Sequence, residues 1–227
     1  MNFDHVTDTP LLQGILSLDA DLVRSLFTIQ SLNKGQVLYY QGDRADSMCI
    51  VRSGLLVKSF ESGHRTFHLS NQHPGDTIGE AEVLHSKQVR YVTTTARTDA
   101  TVWRICARDL ERLLNMYPLI YRRLFDAVGE RFVRAKRKIT YLAFMDARLR
   151  IIHLLYDYLQ DHPANPTLVW KITQQEMSEM VALNRESVAR VIGELQSEGI
   201  IRSSRGRIAI IDMQRLEAVA AIETDGL

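Results

Sequence analysis

Apolar and polar positions divide the chain into three stretches. Between about residues 32 and 106, short runs rich in β-branched and aromatic residues alternate with turn signals such as QGD, ESG and HPGD. Turns at such short, regular intervals are typical of an antiparallel barrel or sandwich. Six glycines from Gly35 to Gly79 would each interrupt a helix here. We therefore expect a β-rich domain, preceded by a short helix in the amphipathic segment 11–27.

After Pro118 the periodicity becomes helical. Up to about Met145 the segment contains one glycine and no proline. Along this segment six residues recur at spacings of three and four, namely Leu124, Val128, Arg131, Ala135, Ile139 and Leu142. This spacing predicts a coiled-coil seam and hence a homodimer. The alternative is a stripe that packs on the β-rich domain of the same chain. The length of the helix favours a partner helix.

The third stretch begins with a helix from Asp146 through Gln160, which a loop with the sequence HPANP ends because of its two prolines. Thr173 to Glu176 then has the spacing of a capping box. It predicts a short helix to near Val181, a connection over 182–184 and a second helix over 185–197 with Gly199 after it. Two helices with so short a connection match the helix-turn-helix unit.

The second of these helices has two distinct faces. An apolar stripe at helical spacing predicts its buried side, formed by Val188, Val191, Ile192 and Leu195. Arg185, Glu186 and Arg190 lie off that stripe near the N-terminal end. Arginine can bond both guanine acceptors and glutamate can accept from the cytosine amino group, as base readers in the major groove do. The alternative is an exposed salt-bridged face, since Glu186 and Arg190 stand at i and i+4.

The next segment, IIRSSRGRIAII, favours the DNA interpretation. It predicts a β-hairpin whose turn is Ser204-Arg205-Gly206. Arg202, Arg205 and Arg207 lie in it without any acidic residue, which makes a basic edge suited to phosphates beside the second helix.

Composition excludes several classes of protein. The chain has 227 residues, 45% hydrophobic and 24% charged, as expected of one large or two small folded domains. No apolar run is long enough for a membrane helix, and the N-terminus lacks signal-peptide features, so we expect a cytoplasmic protein. Cys49 and Cys106 are too few for a disulfide scaffold or a cysteine metal cluster, and we expect both to be buried apolar side chains.

Net charge becomes informative once it is divided along the chain. The total is +1, with −1 over residues 1–118, +5 over 119–145 and −3 over 146–227. DNA binding therefore has to rest on local placement of arginines rather than on overall charge. The sequence contains no phosphate-binding glycine loop, no His-Glu-x-x-His and no Gly-x-Ser-x-Gly, and we expect no enzyme activity.

Four motifs in order make the chain resemble the CRP/FNR family of bacterial transcription regulators, with the subgroup of the catabolite activator as the nearest pattern. They are QGD at 41–43, GDTIGE at 75–80, LAFMD at 142–146 and the helix-turn-helix sequence over 172–201. The resemblance implies an α+β architecture with an N-terminal β-roll, like a cyclic nucleotide-binding jelly roll, a long dimerisation helix and a C-terminal winged helix-turn-helix. The implied domains are 1–117 for the sensor, 118–146 for the helix and hinge, and 147–227 for DNA binding.

The resemblance also implies a palindromic DNA site with TGTGA-like half-sites. Arg185 and Arg190 would contact guanine and Glu186 cytosine, in the family pattern Arg-Glu-x-x-x-Arg. The further DNA contacts would come from Thr173, Ser187, Arg205 and Arg207. Ala182 departs from the family, whose turn usually has glycine. RNA polymerase is the implied protein partner, and the alternative function is a cyclic-nucleotide-binding module that regulates a partner other than DNA.

Family members that bind cyclic AMP hold its phosphate with residues that match Gly79, Glu80 and Arg90 here. The serine that normally follows the arginine is Tyr91, and the threonine-serine pair that contacts adenine is replaced by Ala135 and Lys136. These changes remove hydroxyl donors and add bulk and charge, which argues against cyclic AMP. Three alternatives remain: a different small anionic effector, a pocket that binds no ligand, and a purely structural pairing of Glu80 with Arg90.

Histidines in the sensor stretch raise a further alternative, a haem or a metal. The four residues concerned are His64, His68, His73 and His85. They follow no ligand pattern, and such histidines are more often solvated, so this alternative is the less favoured one.

Overall fold

The computed structural model describes residues 3–15, 19–63, 65–160 and 169–222. The chain forms two compact units, Met1–Arg134 and Ala135–Leu227. The HPANP segment and His64 lie outside the described residues. The domain limits expected at 117/118 and 146/147 stay a prediction.

The first unit is a β-roll of two four-stranded antiparallel sheets, with strand orders β1-β8-β3-β6 and β2-β7-β4-β5. The strands are β1 Thr28–Leu32, β2 Val37–Tyr39, β3 Ser47–Ser53, β4 Leu56–Ser62, β5 Arg65–Gln72, β6 Thr77–Ile78, β7 Thr93–Ala96 and β8 Ala100–Cys106. The helices are α1 Ala20–Ser25, α2 Glu80–Leu84, α3 Ala107–Met116 and the long α4 Leu119–Phe144, after a 3-10 turn at Val6–Asp8. Helix α4 continues into the second unit.

Apolar side chains from the two sheets form the core of this roll. Val51, Leu56, Ile78 and Val102 have no exposed surface and belong to one cluster. A second cluster joins the other face of β3 and β8 to helices α3 and α4. The β-rich prediction is therefore confirmed.

The second unit is a winged helix-turn-helix around one apolar core. Its helices are α5 Ala147–Gln160, α6 Gln174–Val181, α7 Arg185–Ser197 and α8 Met213–Ile222. Its strands are β9 Val169–Trp170, β10 Ile201–Ser204 and β11 Arg207–Ile210, in the order β10-β11-β9. Asp146 caps α5 by accepting from the backbone N–H of Leu149 at 2.9 Å.

Several local predictions were wrong. Of the helix expected over 11–27, the described residues contain α1 at Ala20–Ser25, and Gly14 takes a left-handed φ of +83° in a turn, which no helix over 11–15 would allow. Strand β1 was missed because only Leu32 of its residues is buried, which leaves no alternation to detect. The other missed elements are α3, β6, β9 and α8. Cys106 is exposed rather than buried, and its thiol lies 3.0 Å from a carboxylate oxygen of Asp109.

Among the residues that the structure describes, no helix combines the length and hydrophobicity needed to cross a bilayer.

Candidate functional site

Local capping sets where α6 and α7 begin. The hydroxyl of Thr173 accepts from the backbone N–H of Glu176 at 3.2 Å, and the Glu176 carboxylate accepts from the backbone N–H of Thr173 at 2.7 Å. The side chain of Asn184 accepts from the backbone N–H of Ser187 at 2.8 Å. Each cap satisfies donors that the helix itself leaves unpaired. Both helices therefore start where the sequence predicted.

The connection between α6 and α7 depends on one residue in a left-handed conformation. Ala182 has φ +54° and ψ +43°, and its N–H donates to the carbonyl of Ser178. A β-carbon disfavours this region, which glycine adopts freely. Ala182 thus holds the turn at some cost in conformational energy.

An Ala182→Gly variant is expected to raise the free energy of unfolding by about 0.5–1 kcal/mol, because it removes the β-carbon from a left-handed position. The matched control is Ala189→Gly in the middle of α7, which should lower it by about 1 kcal/mol. Urea unfolding followed by circular dichroism measures both. Equal destabilisation by the two glycines would contradict the role given to Ala182.

Helix α7 buries one side and exposes the other. The four residues of the predicted apolar stripe are at most 3% exposed, namely Val188, Val191, Ile192 and Leu195. Arg185, Glu186 and Arg190 are exposed, and Ser187 is partly buried. The first two turns of α7 therefore present two guanidinium groups and a carboxylate to solvent.

The ion pair between Glu186 and Arg190 that the sequence offered as an alternative does not form. Arg190 instead donates to Glu194, one turn further along, at 2.7 Å. Arg148 of α5 lies 3.6 Å from the other Glu194 oxygen and donates to Glu198 at 2.8 Å, which holds the pKa of the Glu198 carboxyl below its usual range. An exposed i,i+4 pair contributes only about 0.3–0.5 kcal/mol, so Arg190 can exchange Glu194 for a stronger partner.

The wing extends the basic surface of the second unit. Strands β10 and β11 pair with Ser204 opposite Arg207, and Arg202, Arg205 and Arg207 are all exposed. The backbone N–H of Ser203 donates to the side chain of Gln196 on α7 at 2.8 Å, which fixes the hairpin against that helix. The missed strand β9 adds a third strand beside β11. The wing therefore adds three exposed arginines next to the helix that carries Arg185 and Arg190.

In the β-roll, the predicted effector residues Gly79, Glu80 and Arg90 come together at the start of α2. Glu80 is 2% exposed and Arg90 3%. Arg90 donates to the carbonyl of Ser47 at 2.6 Å, and its guanidinium lies 4.1 Å from the ring centre of Tyr39. Gly79 has φ +85°, and a β-carbon there would collide with the Arg90 guanidinium. Glycine at position 79 is thus required for Arg90 to occupy its place.

The pairing of Glu80 with Arg90 that the sequence left open is wrong. Glu80 forms its ion pair with Arg131 of α4, whose guanidinium also donates to the carbonyl of Thr77 at 2.6 Å and to its hydroxyl at 3.0 Å. Glu80 faces Arg131 because α4 runs past the start of α2 in this unit. The contact joins the effector residues to the long helix.

The remaining effector candidates lie elsewhere. Tyr91 is 44% exposed, and its hydroxyl lies 3.1 Å from Nδ1 of His85 at the surface. Ala135 is partly buried and Lys136 exposed, and both belong to the second unit. No group of three or more metal-ligating side chains converges within the described parts of the chain.

Comparison with known proteins then identifies both halves of the chain. The family model of the cyclic nucleotide-binding domain matches residues 29–117, and that of the Crp-like helix-turn-helix domain matches residues 149–219. Together they cover more than two thirds of the chain. The chain belongs to the CRP/FNR family. It is a DNA-binding transcription regulator with an effector-binding domain.

Individual CRP/FNR proteins align over most of their length. The cyclic AMP receptor protein of Thermus thermophilus is 27% identical over 214 residues, covering 93% of this chain and 97% of that protein. The cAMP-activated global transcriptional regulator CRP of Salmonella typhimurium is 28% identical over 182 residues, covering 77% and 84%. The crystal structure of a CRP/FNR-family regulator from Thermus thermophilus gives a TM-score of 0.70 at 27% identity, covering 85% of this chain and 98% of that one.

In this CRP/FNR chain two positions of the expected helix seam already have contacts within the first unit. Leu124 is 3% exposed and lies in the core of the first unit, and Arg131 is committed to Glu80. Leu124 is therefore not available to a partner helix. The exposed positions are Phe125 at 76% and Phe132 at 64%. Sequence spacing could have found them, since Phe125, Phe132 and Ile139 stand one heptad apart.

Proposed function

We propose that this CRP/FNR regulator binds, as a homodimer, a palindrome with TGTGA-like half-sites, and that a small effector in the β-roll controls binding. The observation that carries the proposal is the exposed set Arg185, Glu186 and Arg190 at the start of α7, above a fully buried apolar stripe. A helix with this arrangement can enter the major groove with its first turns against base edges.

Each exposed side chain has a role in this proposal. Arg185 and Arg190 bond guanine and Glu186 accepts from cytosine. The hydroxyls of Thr173 and Ser187 and the wing guanidiniums of Arg205 and Arg207 contact phosphates. Phosphate contacts fix register and strengthen binding to every duplex, whereas base contacts discriminate between sequences.

The proposed dimer seam is a heptad series along α4. It consists of Tyr121, Phe125, Val128, Phe132, Ala135, Ile139 and Leu142. All seven are apolar or aromatic, and their spacing alternates strictly between four and three residues, as the contact positions of a coiled coil do. Two helices paired in this way would place two copies of α7 on successive half-sites, one DNA turn apart. The proposed domains are 1–117 for the sensor, 118–146 for the helix and hinge, and 147–227 for DNA binding.

Effector control follows from the contact between the β-roll and α4. Glu80, beside Gly79 and Arg90, is bonded to Arg131 on the long helix. A small anion in the roll would change this contact and so shift the equilibrium between arrangements of the paired helices. The presence of Ala135 and Lys136 in place of hydroxyl residues argues for an effector other than cyclic AMP.

The regulator acts in the cytoplasm, with RNA polymerase as its protein partner.

Arg185→Ala is expected to weaken binding to a TGTGA palindrome by about 1–3 kcal/mol and to relax discrimination at one base pair, because a bidentate guanine contact is lost. Arg205→Ala is the control: loss of a phosphate contact should weaken binding equally on cognate and scrambled duplexes and lower the salt slope by about one. Fluorescence anisotropy at several salt concentrations measures both. Equal loss on the two duplexes for Arg185→Ala would refute base reading.

A further inference from the structure

A row of polar side chains crosses the inner face of one sheet of the β-roll. Tyr39 on β2 is opposite Thr94 on β7, and Thr94 is opposite Lys58 on β4. Opposite residues in antiparallel strands share a face. Lys58 also shares a face with Leu56, two residues away, which lies in the core between the sheets. The row therefore points into the roll, and all three residues are at most 8% exposed.

Lys58 is a buried lysine without a direct partner among the described residues. It is 7% exposed, and among the described residues it makes no hydrogen bond and no ion pair within 4.0 Å. The carboxylate of Glu80 at the start of α2 is already bonded to Arg131. Burial is the main cause that lowers the pKa of Lys58, and Glu80 opposes it. Buried charges in folded proteins are normally paired.

Neighbouring polar atoms also lack partners. These are Oε2 of Glu80, Nε of Arg90 and the hydroxyls of Tyr39 and Thr94, which lie next to each other without a hydrogen bond of normal geometry. Buried polar groups are otherwise nearly all satisfied in native structures. Such a concentration of unsatisfied donors and acceptors in one roll indicates a site that a polar ligand completes.

We propose that Lys58 binds an acidic group of the effector, so that the effector carries two separate acidic groups, one at Lys58 and one at the Gly79–Arg90 end. This deepens the proposed function and rests on the β-roll being the effector site. The backbone positions of Tyr39 and Lys58 are two strand spacings, about 10 Å, apart. In the proposed complex the hydroxyls of Tyr39 and Thr94, which stand in the same row, face the polar middle of the effector. Dicarboxylates and phosphorylated carboxylic acids share the required chemistry.

The test compares the full-length wild-type protein with Lys58→Met, which keeps the length of the side chain and removes its charge. Thermal unfolding is measured with succinate and with phosphoglycolate, each of which carries two acidic groups. The comparison ligands, at equal ionic strength, are butyrate and cyclic AMP, each of which carries one acidic group. We expect one or both dianions to raise the unfolding temperature of the wild type by about 3 °C for a tenfold excess over the dissociation constant. A response to succinate alone indicates a dicarboxylate effector, and a response to phosphoglycolate alone indicates a phosphorylated carboxylic acid. Lys34→Met, at an exposed lysine, is the control.

Lys58→Met should lose this stabilisation and, without ligand, unfold at a higher temperature than the wild type, because an unpaired buried charge has gone. A lower unfolding temperature without ligand would show that Lys58 serves the fold and would overturn the proposal. So would equal dianion responses in the two proteins. DNA binding is measured on the same samples, so that a failure of this proposal can be distinguished from a failure of the proposed DNA-binding function. A wild type that binds the palindrome but responds to no dianion contradicts this proposal and leaves the DNA function standing.

Discussion

A Phe125→Glu variant is expected to sediment as a monomer and to bind the palindrome about 100-fold or more weakly, because each helix-turn-helix unit then engages its half-site alone. Phe125 is 76% exposed and lies at a contact position of the proposed seam. In a dimer the substitution would place two carboxylates opposite each other in an apolar interface, where an unpaired charge is strongly unfavourable. Analytical ultracentrifugation and fluorescence anisotropy measure the two effects.

Val133→Glu provides the matched control for this experiment. Val133 is also an exposed apolar residue of α4, at 55%, but it follows the contact position Phe132 and points away from the seam. It should leave both mass and affinity unchanged. A Phe125→Glu protein that stays dimeric and binds the palindrome normally would contradict the seam, and a monomeric Val133→Glu protein would place the interface on another face of the helix.

Arg131→Met is expected to lower the free energy of unfolding of the first unit by about 3–5 kcal/mol, because it leaves the carboxylate of Glu80 buried without its counterion. The side chain of Glu80 is 3% exposed and that of Arg131 20%. Arg131 also satisfies the carbonyl and hydroxyl of Thr77, so three contacts are lost together. The same variant removes the link between the effector residues and the long helix.

Tryptophan fluorescence can follow the first unit selectively. The chain has two tryptophans, Trp103 on β8 and Trp170 on β9, so a Trp170→Phe background leaves Trp103 as the sole reporter. Arg134→Met, at an exposed position of the same helix, should change stability by less than about 0.5 kcal/mol.

The double variant Arg131→Met with Glu80→Gln should recover part of the loss, because no uncompensated carboxylate remains. Additive effects of the two substitutions would contradict a direct pair.

The helix-turn-helix could be predicted residue by residue because its determinants are local. The capping box at Thr173, the cap at Asn184 and the apolar stripe of α7 each act within one helical turn or along one helix face, so sequence spacing is sufficient to locate them. The wing followed from the turn at Arg205-Gly206. Strands with little burial or only two residues, such as β1 and β6, leave no periodic signal and were not predicted.

The seam shows where periodicity alone fails. Leu124 and Phe125 are adjacent and both apolar, so either can continue a spacing of three and four residues. The tertiary structure decides between them, because the sensor core takes up Leu124 and leaves Phe125 exposed. Arg131 and Phe132 pose the same choice, and the ion pair of Arg131 with the buried carboxylate of Glu80 favours Phe132 for the proposed seam.

The sequence by itself therefore determined the order of domains, the family and the exposed face of α7 that we propose reads bases, since these depend on motifs and on contacts between residues near each other in the chain. Only the tertiary structure decided that Glu80 pairs with Arg131 rather than Arg90, and that Lys58 lies inside the β-roll with no partner in the described part of the chain. Partners of buried charges come from strands and helices far apart in sequence. Which charges meet is set by how the sheets and α4 pack, and no spacing rule encodes that.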